Sequence, residues 1–152
     1  MRRLIMPALA FTLLACTGSA SAVGVGGQAG VSMNPDQFYI GGHGWLGKLS
    51  PNLEIRPTIE VGFGDDVTTW ALNAGLAHRF TRPEGAIWGY YAGAEFAVNI
   101  FARDGDSETE LGLNLMVGTV RDLPAGNEML LEMKLGLADS PEVKIGIGMT
   151  IH

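Results

Sequence analysis

Cysteine is almost absent from this sequence, because Cys16 is the only one among 152 residues. A single cysteine excludes an intrachain disulfide and a metal site built from several thiolates. Basic residues are also scarce, with 10 Lys and Arg against 16 Asp and Glu. This excess of acidic side chains argues against nucleic acid as a partner, since binding to phosphates needs clustered positive charge.

Long apolar runs are missing as well. The stretch LIMPALAFTLLA, which follows Arg2 and Arg3, is shorter than the roughly 20 residues that a membrane helix needs. A basic start, a short apolar stretch and the small residues SASA predict a secretory signal peptide over residues 1–22, cleaved after Ala22. Lipidation at Cys16 is the alternative, because LLAC resembles a bacterial lipobox. Both alternatives predict export from a bacterial cytoplasm.

The remaining chain, residues 23–152, is predicted to be one domain without cysteine. Its 8 Lys and Arg against 16 Asp and Glu give a net charge of −8. Clusters of Pro, Gly, Asn and Asp divide it into short segments, and these residue types supply turn geometry. The eight segments between the clusters cover residues 23–32, 38–49, 53–64, 67–81, 86–102, 108–121, 127–138 and 142–151.

Apolar and polar residues alternate within most of these segments. In LEIRPTIEVGFG, residues 53–64, apolar side chains fall at every second position, with polar ones between them. This period of two predicts β-strands with one apolar face, and short connections predict antiparallel neighbours in an up-and-down meander. The first two segments are rich in glycine, so their phase is not determined.

Three features predict that the apolar face points outward, into a membrane. The second face is rich in Gly, Ala and Asn with charges of both signs, which suits a narrow interior where charges pair. Aromatic residues fall near both ends of the segments, as at the two membrane interfaces. Most segments have 10 to 17 residues, whereas strands of soluble proteins more often have 5 or 6. The predicted fold is therefore an all-β, eight-stranded antiparallel transmembrane barrel.

The sequence also resembles a known group of proteins. The segments NPDQFYIGGH, RPTIEVGFGDDVTTWALNAGLAHRF and ADSPEVKIGIGMTIH look like those of small eight-stranded outer-membrane β-barrels, an uncharacterised, porin-like group of Gram-negative bacteria. The resemblance covers residues 23–152 and implies location in the outer membrane, with lipid, lipopolysaccharide and the barrel-insertion machinery as partners. Barrels of this group usually end in an aromatic residue, and this chain departs from that pattern with Ile151-His152.

Acidic residues gather in alternate connections, which share one end of a meander. Clustered carboxylates suit a hard divalent cation such as calcium. The alternative is that these residues only form turns, since Asp is a preferred turn residue. The predicted metal ligands at this outer rim are Asp65, Asp66, Asp104, Asp106 and Asp139.

Catalysis is not predicted. The three histidines are His43, His78 and His152. His78 lies on the apolar phase, near the end away from the acidic connections, with no serine at a strand spacing to it, and His43 lies in the Gly-rich stretch GGHGW. Neither a G-x-S-x-G nor an H-E-x-x-H motif is present. The expected role is structural or interactive, without a cofactor other than calcium. Two alternatives stay open: a soluble periplasmic barrel that binds an apolar ligand inside, and a lipid-modifying barrel enzyme.

Overall fold

The computed structural model describes residues 23–64, 66–103 and 106–152. The predicted signal peptide and the lipobox at Cys16 lie outside these residues. No helix in the described part of the chain is long and apolar enough to cross a bilayer.

Nine strands and one 3-10 turn make up the described structure. The strands are β1 (Gly24–Met33), β2 (Gln37–Trp45), β3 (Lys48–Ser50), β4 (Leu53–Phe63), β5 (Thr68–Arg79), β6 (Trp88–Arg103), β7 (Asp106–Asp122), β8 (Glu128–Ala138) and β9 (Val143–Ile151). The 3-10 turn covers Pro124–Gly126. The eight long strands match the eight segments that the alternation predicts, within a few residues at each end.

The eight long strands close into an antiparallel barrel. Each pairs with the next along the chain, except that β2 pairs with β4 past the short β3. β1 and β9 close the ring through a register from Val25↔Ile151 to Met33↔Val143. The predicted fold, an eight-stranded up-and-down barrel, is confirmed. Closure leaves most strands with two neighbours, which satisfies their backbone hydrogen bonds.

The connections differ between the two ends of the barrel. At the end away from the chain termini, which we call the turn end, the connections are the short segments 34–36, 64–67, 104–105 and 139–142. At the terminal end they are 46–52, 80–87 and 123–127. β6 and β7, with 16 and 17 residues, are the longest strands, and their hairpin extends furthest at the turn end.

Apolar side chains cover the outside of the barrel. The alternation in β4, β5, β7 and β9 sends every second residue outward, so that Leu115 is 43% exposed and Ile147 is 51% exposed. The aromatic side chains that are exposed on this surface are Phe38, Phe63, Trp70, Phe80, Tyr90 and Phe96. The structure also fixes the phase of the glycine-rich strands: Gln28 and Tyr39 point inward, while Val31 and Phe38 point outward.

Candidate functional site: the polar interior

Ion pairs and hydrogen bonds fill the middle of the barrel. We call these inward side chains the central network; they are Gln28, Arg56, Glu60, Tyr91, Glu95, Asn114, Glu132, Lys134 and Lys144. All of them are buried. The network contains three cations (Arg56, Lys134, Lys144) and three carboxylates (Glu60, Glu95, Glu132), so its charges balance when all are ionised.

Lys134 on β8 is the most connected cation in the network. Its Nζ lies 2.7 Å from Oε1 of Glu60 and 2.9 Å from Oε1 of Glu95. Glu60 also accepts from Lys144 at 2.7 Å and from the Gln28 amide at 2.8 Å. The Asn114 amide donates to Glu95 at 3.0 Å. Burying charges is costly unless they are paired and hydrogen-bonded, and these groups meet that condition.

Arg56 on β4 forms the second part of the network. Its guanidinium pairs with the Glu132 carboxylate and donates to Gln28 at 3.2 Å. The Tyr91 hydroxyl donates to the same Glu132 at 2.6 Å. The guanidinium also lies over the ring of Trp45, 5.2 Å from its centroid. Charge-assisted hydrogen bonds of this kind are stronger than neutral ones, so this part of the interior is held in one arrangement.

A second ion-pair cluster closes the terminal end of the interior. Arg79 binds Glu128 through both terminal guanidinium nitrogens, at 2.8 and 3.0 Å, and binds Glu54 through Nε at 2.8 Å. His152 lies 3.4 Å from Glu128. Arg79 stacks over the Trp45 ring at 4.3 Å, on which Arg56 also packs. Trp45 therefore joins this cluster to the central network.

A small apolar layer lies between these charges. It consists of Trp45, Ala77, Tyr91, Met116, Val120 and Leu130, all nearly inaccessible to solvent. The Tyr91 ring meets Trp45 edge-on, with 5.7 Å between the centroids. An eight-stranded barrel has an interior just wide enough to be filled by its own side chains, and these groups fill it in this way.

Close packing inside the barrel depends on glycine at Gly118. A Cβ built at this position would overlap the ring of Tyr91. We therefore expect Gly118→Val to displace Tyr91 and weaken its bond to Glu132, lowering the free energy of unfolding by ~1–3 kcal/mol. The matched control is Gly27→Val on the outer face, where the nearest atom to a Cβ is 3.8 Å away and little change is expected.

Urea unfolding of the refolded barrel, followed by tryptophan fluorescence, measures both variants. Equal stability of Gly118→Val and Gly27→Val would contradict the close packing of Gly118 against the Tyr91 ring.

The sequence predicts most of this interior but misses part of it. Charges of both signs on the second face of the strands were expected to pair inside, and the pairs of Arg56, Glu60 and Lys134 confirm this. Gln28 and Trp45 were missed because they lie on the glycine-rich strands β1 and β2. The polar residues Gln28 and Ser32, which have the same phase, were the available signal for β1.

The predicted metal ligands lie at the turn end, in three different connections. Asp66 is exposed between β4 and β5, Asp106 begins β7, and Asp139 follows β8. Asp65 and Asp104 lie outside the described residues. Within residues 23–64, 66–103 and 106–152, no group of three or more His, Cys, Asp and Glu side chains is arranged to hold a metal ion. Calcium binding by the five-residue set stays a prediction.

The three histidines lie in separate places. His43 is buried in the interior, with Nε2 2.8 Å from Oγ1 of Thr150. His78 is exposed on the outer face near the terminal end and meets Phe80 edge-on. His152 pairs with Glu128. Among the described side chains, no serine is hydrogen-bonded to any of these histidines.

Comparisons with known proteins support the fold and not a particular activity. No protein-family model matches the sequence, and no curated protein matches it. Among solved structures, the chain is similar to Neisserial surface protein A (NspA), with 11% identity, a TM-score of 0.67 and coverage of 85% of this chain and 94% of that one.

Two further structures share the architecture. The N-terminal β-barrel domain of Pseudomonas aeruginosa OprF is 16% identical with a TM-score of 0.64, covering 84% of this chain and 94% of that domain. The outer membrane enzyme PagL is 12% identical with a TM-score of 0.52, covering 85% of this chain and 99% of that one. At these identities the likeness establishes the closed eight-stranded barrel and leaves the activity open.

Proposed function

We propose that this chain is a bacterial outer-membrane β-barrel with a structural or interaction role, in contact with lipid and lipopolysaccharide along its apolar exterior. The observation that carries the proposal is the reversed polarity of the molecule. Arg56, Glu60 and Lys134 are at most 1% exposed, while Phe96, Leu111 and Ile147 are more than half exposed. A barrel in water would hide the second group, whereas a membrane barrel exposes it to lipid.

This polarity argues against the soluble alternative. A barrel that carries an apolar ligand needs an apolar interior cavity. Here the central network occupies the middle of the interior with ion pairs, and the apolar layer around Trp45 is already packed against Tyr91 and Met116.

A non-enzymatic role is part of the proposal. PagL has the same fold and is an enzyme, so the architecture is compatible with catalysis. In this chain, however, His43 lies in the closed interior with a threonine partner, and the exposed His78 packs against Phe80. General acid–base or nucleophilic chemistry needs a histidine within hydrogen-bond reach of its partner and open to substrate. His43 and His78 each fail one of these conditions, and the Glu128 carboxylate beside His152 is already bound by Arg79.

Fractionation of cells that express the full chain tests the proposal. We expect the protein in the outer membrane after a high-salt wash. A closed barrel that resists detergent should also migrate differently in gels of unboiled and boiled samples. Recovery in the soluble periplasmic fraction would contradict the proposal and support the soluble periplasmic barrel instead.

The orientation of the barrel is a separate part of the proposal. We place the acidic turn end outside the cell, because the long β6–β7 hairpin lies there and extends beyond the apolar surface. The lengths of the connections alone would place the terminal end outside, because the extracellular loops of such barrels are the longer ones and 46–52 and 80–87 are longer than the turns at the other end. Labelling of intact cells by a membrane-impermeant thiol reagent decides between the two. Ser107→Cys at the turn end should react, and Glu84→Cys at the terminal end should not.

A further inference from the structure

β7 has a free edge where the strand begins. β7 pairs with β6 along its whole length, from Arg103↔Asp106 to Trp88↔Arg121. Its pairing with β8 begins only at Leu113↔Ala138, next to a register irregularity. Within residues 23–64, 66–103 and 106–152, the segment 106–112 has no strand on its other side. At about 3.4 Å per residue, this free edge is roughly 20 Å long.

The free edge extends beyond the apolar surface of the barrel. The outward residues of β7 are apolar from Leu111 to Val117, whereas the outward residues before them are Ser107 and Thr109. β7 has 17 residues, and a tilted strand crosses a bilayer with about 9 to 11. The backbone groups of residues 106–110, before this apolar row, are therefore in water and open to a partner.

The free edge carries negative charge on one face. Asp106, Glu108 and Glu110 alternate along it and continue the inward phase of Asn114. Together with Ser107, and with Phe101 and Arg103 of β6, they line an open recess of about 310 Å³. Side chains of an added strand on this face would lie about 4.5–5.5 Å from those of β7, within reach of the carboxylates and of the recess.

The sequence of the edge suits pairing with another strand. The segment DSETELG, residues 106–112, contains no proline, and its charged side chains, which commonly block edge pairing, leave a partner strand of opposite charge as the one that fits. Like charges directly opposite each other destabilise a sheet, so pairing with a second copy of the same edge would set carboxylates against carboxylates. A strand with lysine or arginine at alternate positions would place positive charges opposite these carboxylates, and such pairs stabilise a sheet.

We propose that the free edge of β7 binds an extended, basic protein segment by strand addition, with alternate Lys or Arg side chains facing Glu108 and Glu110. Backbone hydrogen bonds give affinity in this mode, and alternate side chains give specificity. The inference goes beyond the proposed function and does not depend on it, because the edge is exposed whether or not the barrel lies in a bilayer.

A labelled seven-residue peptide of alternating lysine and threonine tests the inference. It is titrated with the full barrel in neutral detergent, and binding is followed by fluorescence anisotropy. We expect saturable binding that is at least about tenfold weaker when alternate backbone nitrogens of the peptide are methylated, since about three hydrogen bonds are lost. Two methylated peptides are made, one for each set of alternate nitrogens, because only one of the two sets points toward β7.

Two controls separate strand addition from simple charge attraction. A glutamate–threonine peptide should not bind, and the variant Glu108→Lys/Glu110→Lys should lose binding of the lysine peptide. Equal binding of methylated and unmethylated peptides would overturn the proposal, as would equal binding to the variant or no binding at all. The comparison of methylated with unmethylated peptide uses the unaltered protein. It therefore tests the proposal even if the Glu108→Lys/Glu110→Lys variant fails to fold.

Discussion

Replacing Lys134 by methionine is expected to lower the free energy of unfolding by ~3–5 kcal/mol, because it breaks a buried ion-pair network. The substitution keeps the volume of the side chain and removes its charge. Glu95 would then keep only the Asn114 amide, and Glu60 would keep Lys144 and Gln28. A carboxylate that is left buried without its cation accounts for the cost, because burying an unpaired charge is strongly unfavourable.

Lys144→Met is the matched control for this prediction. Lys144 binds only Glu60 within the described network, and Glu60 would still be paired with Lys134. We expect a distinctly smaller loss in urea unfolding of the refolded barrel. The double variant Lys134→Met/Glu95→Gln should recover part of the loss, because it removes the carboxylate that is left unpaired. Equal stability of the two lysine variants would contradict the assignment of Lys134 as the centre of the network.

Arginine in place of Leu115 is expected to impair membrane insertion, at a cost of ~2–4 kcal/mol for a charged side chain near the bilayer midplane. Leu115 is 43% exposed and lies in the middle of the outward apolar row of β7, between Leu113 and Val117. Because lipid cannot solvate a guanidinium, the substitution destabilises the inserted barrel relative to the protein in water.

Thr109→Arg is the control for the exterior. Thr109 lies on the same strand and the same face, but on the hairpin beyond the apolar row, where it is exposed. We expect normal insertion, measured by the fraction of protein that shows the shifted migration of an unboiled barrel. If both variants insert equally well, the apolar row of β7 does not face lipid.

The sequence predicts the strands well because each one carries its own signal. In β4, the alternation from Leu53 to Phe63 is visible without any partner strand, and the turn residues on both sides mark its ends. β1 and β2 are different: glycine has no side chain to show which face it occupies, so the inward face of β1 is indicated by no more than the polar residues Gln28 and Ser32.

The partners within the interior could not be predicted from local pattern. Lys134 and Glu60 are 74 positions apart, on strands that are not neighbours in the sheet. Their contact depends on the closure of the barrel and on its stagger, which no single segment encodes. The free edge of β7 was missed for the same reason, since it results from the different lengths of β7 and β8.

Quenching of tryptophan fluorescence by brominated phospholipid tests the central claim, that the apolar exterior faces lipid and the polar interior does not. The chain has three tryptophans; Trp70 is 48% exposed on the outer face, Trp88 is half-buried on the same face, and Trp45 is 2% exposed inside. In brominated vesicles we expect strong quenching of the unaltered protein. The variant Trp70→Phe/Trp88→Phe, which keeps Trp45, should be quenched little. No quenching of the unaltered protein, or equal quenching of both, would contradict the account.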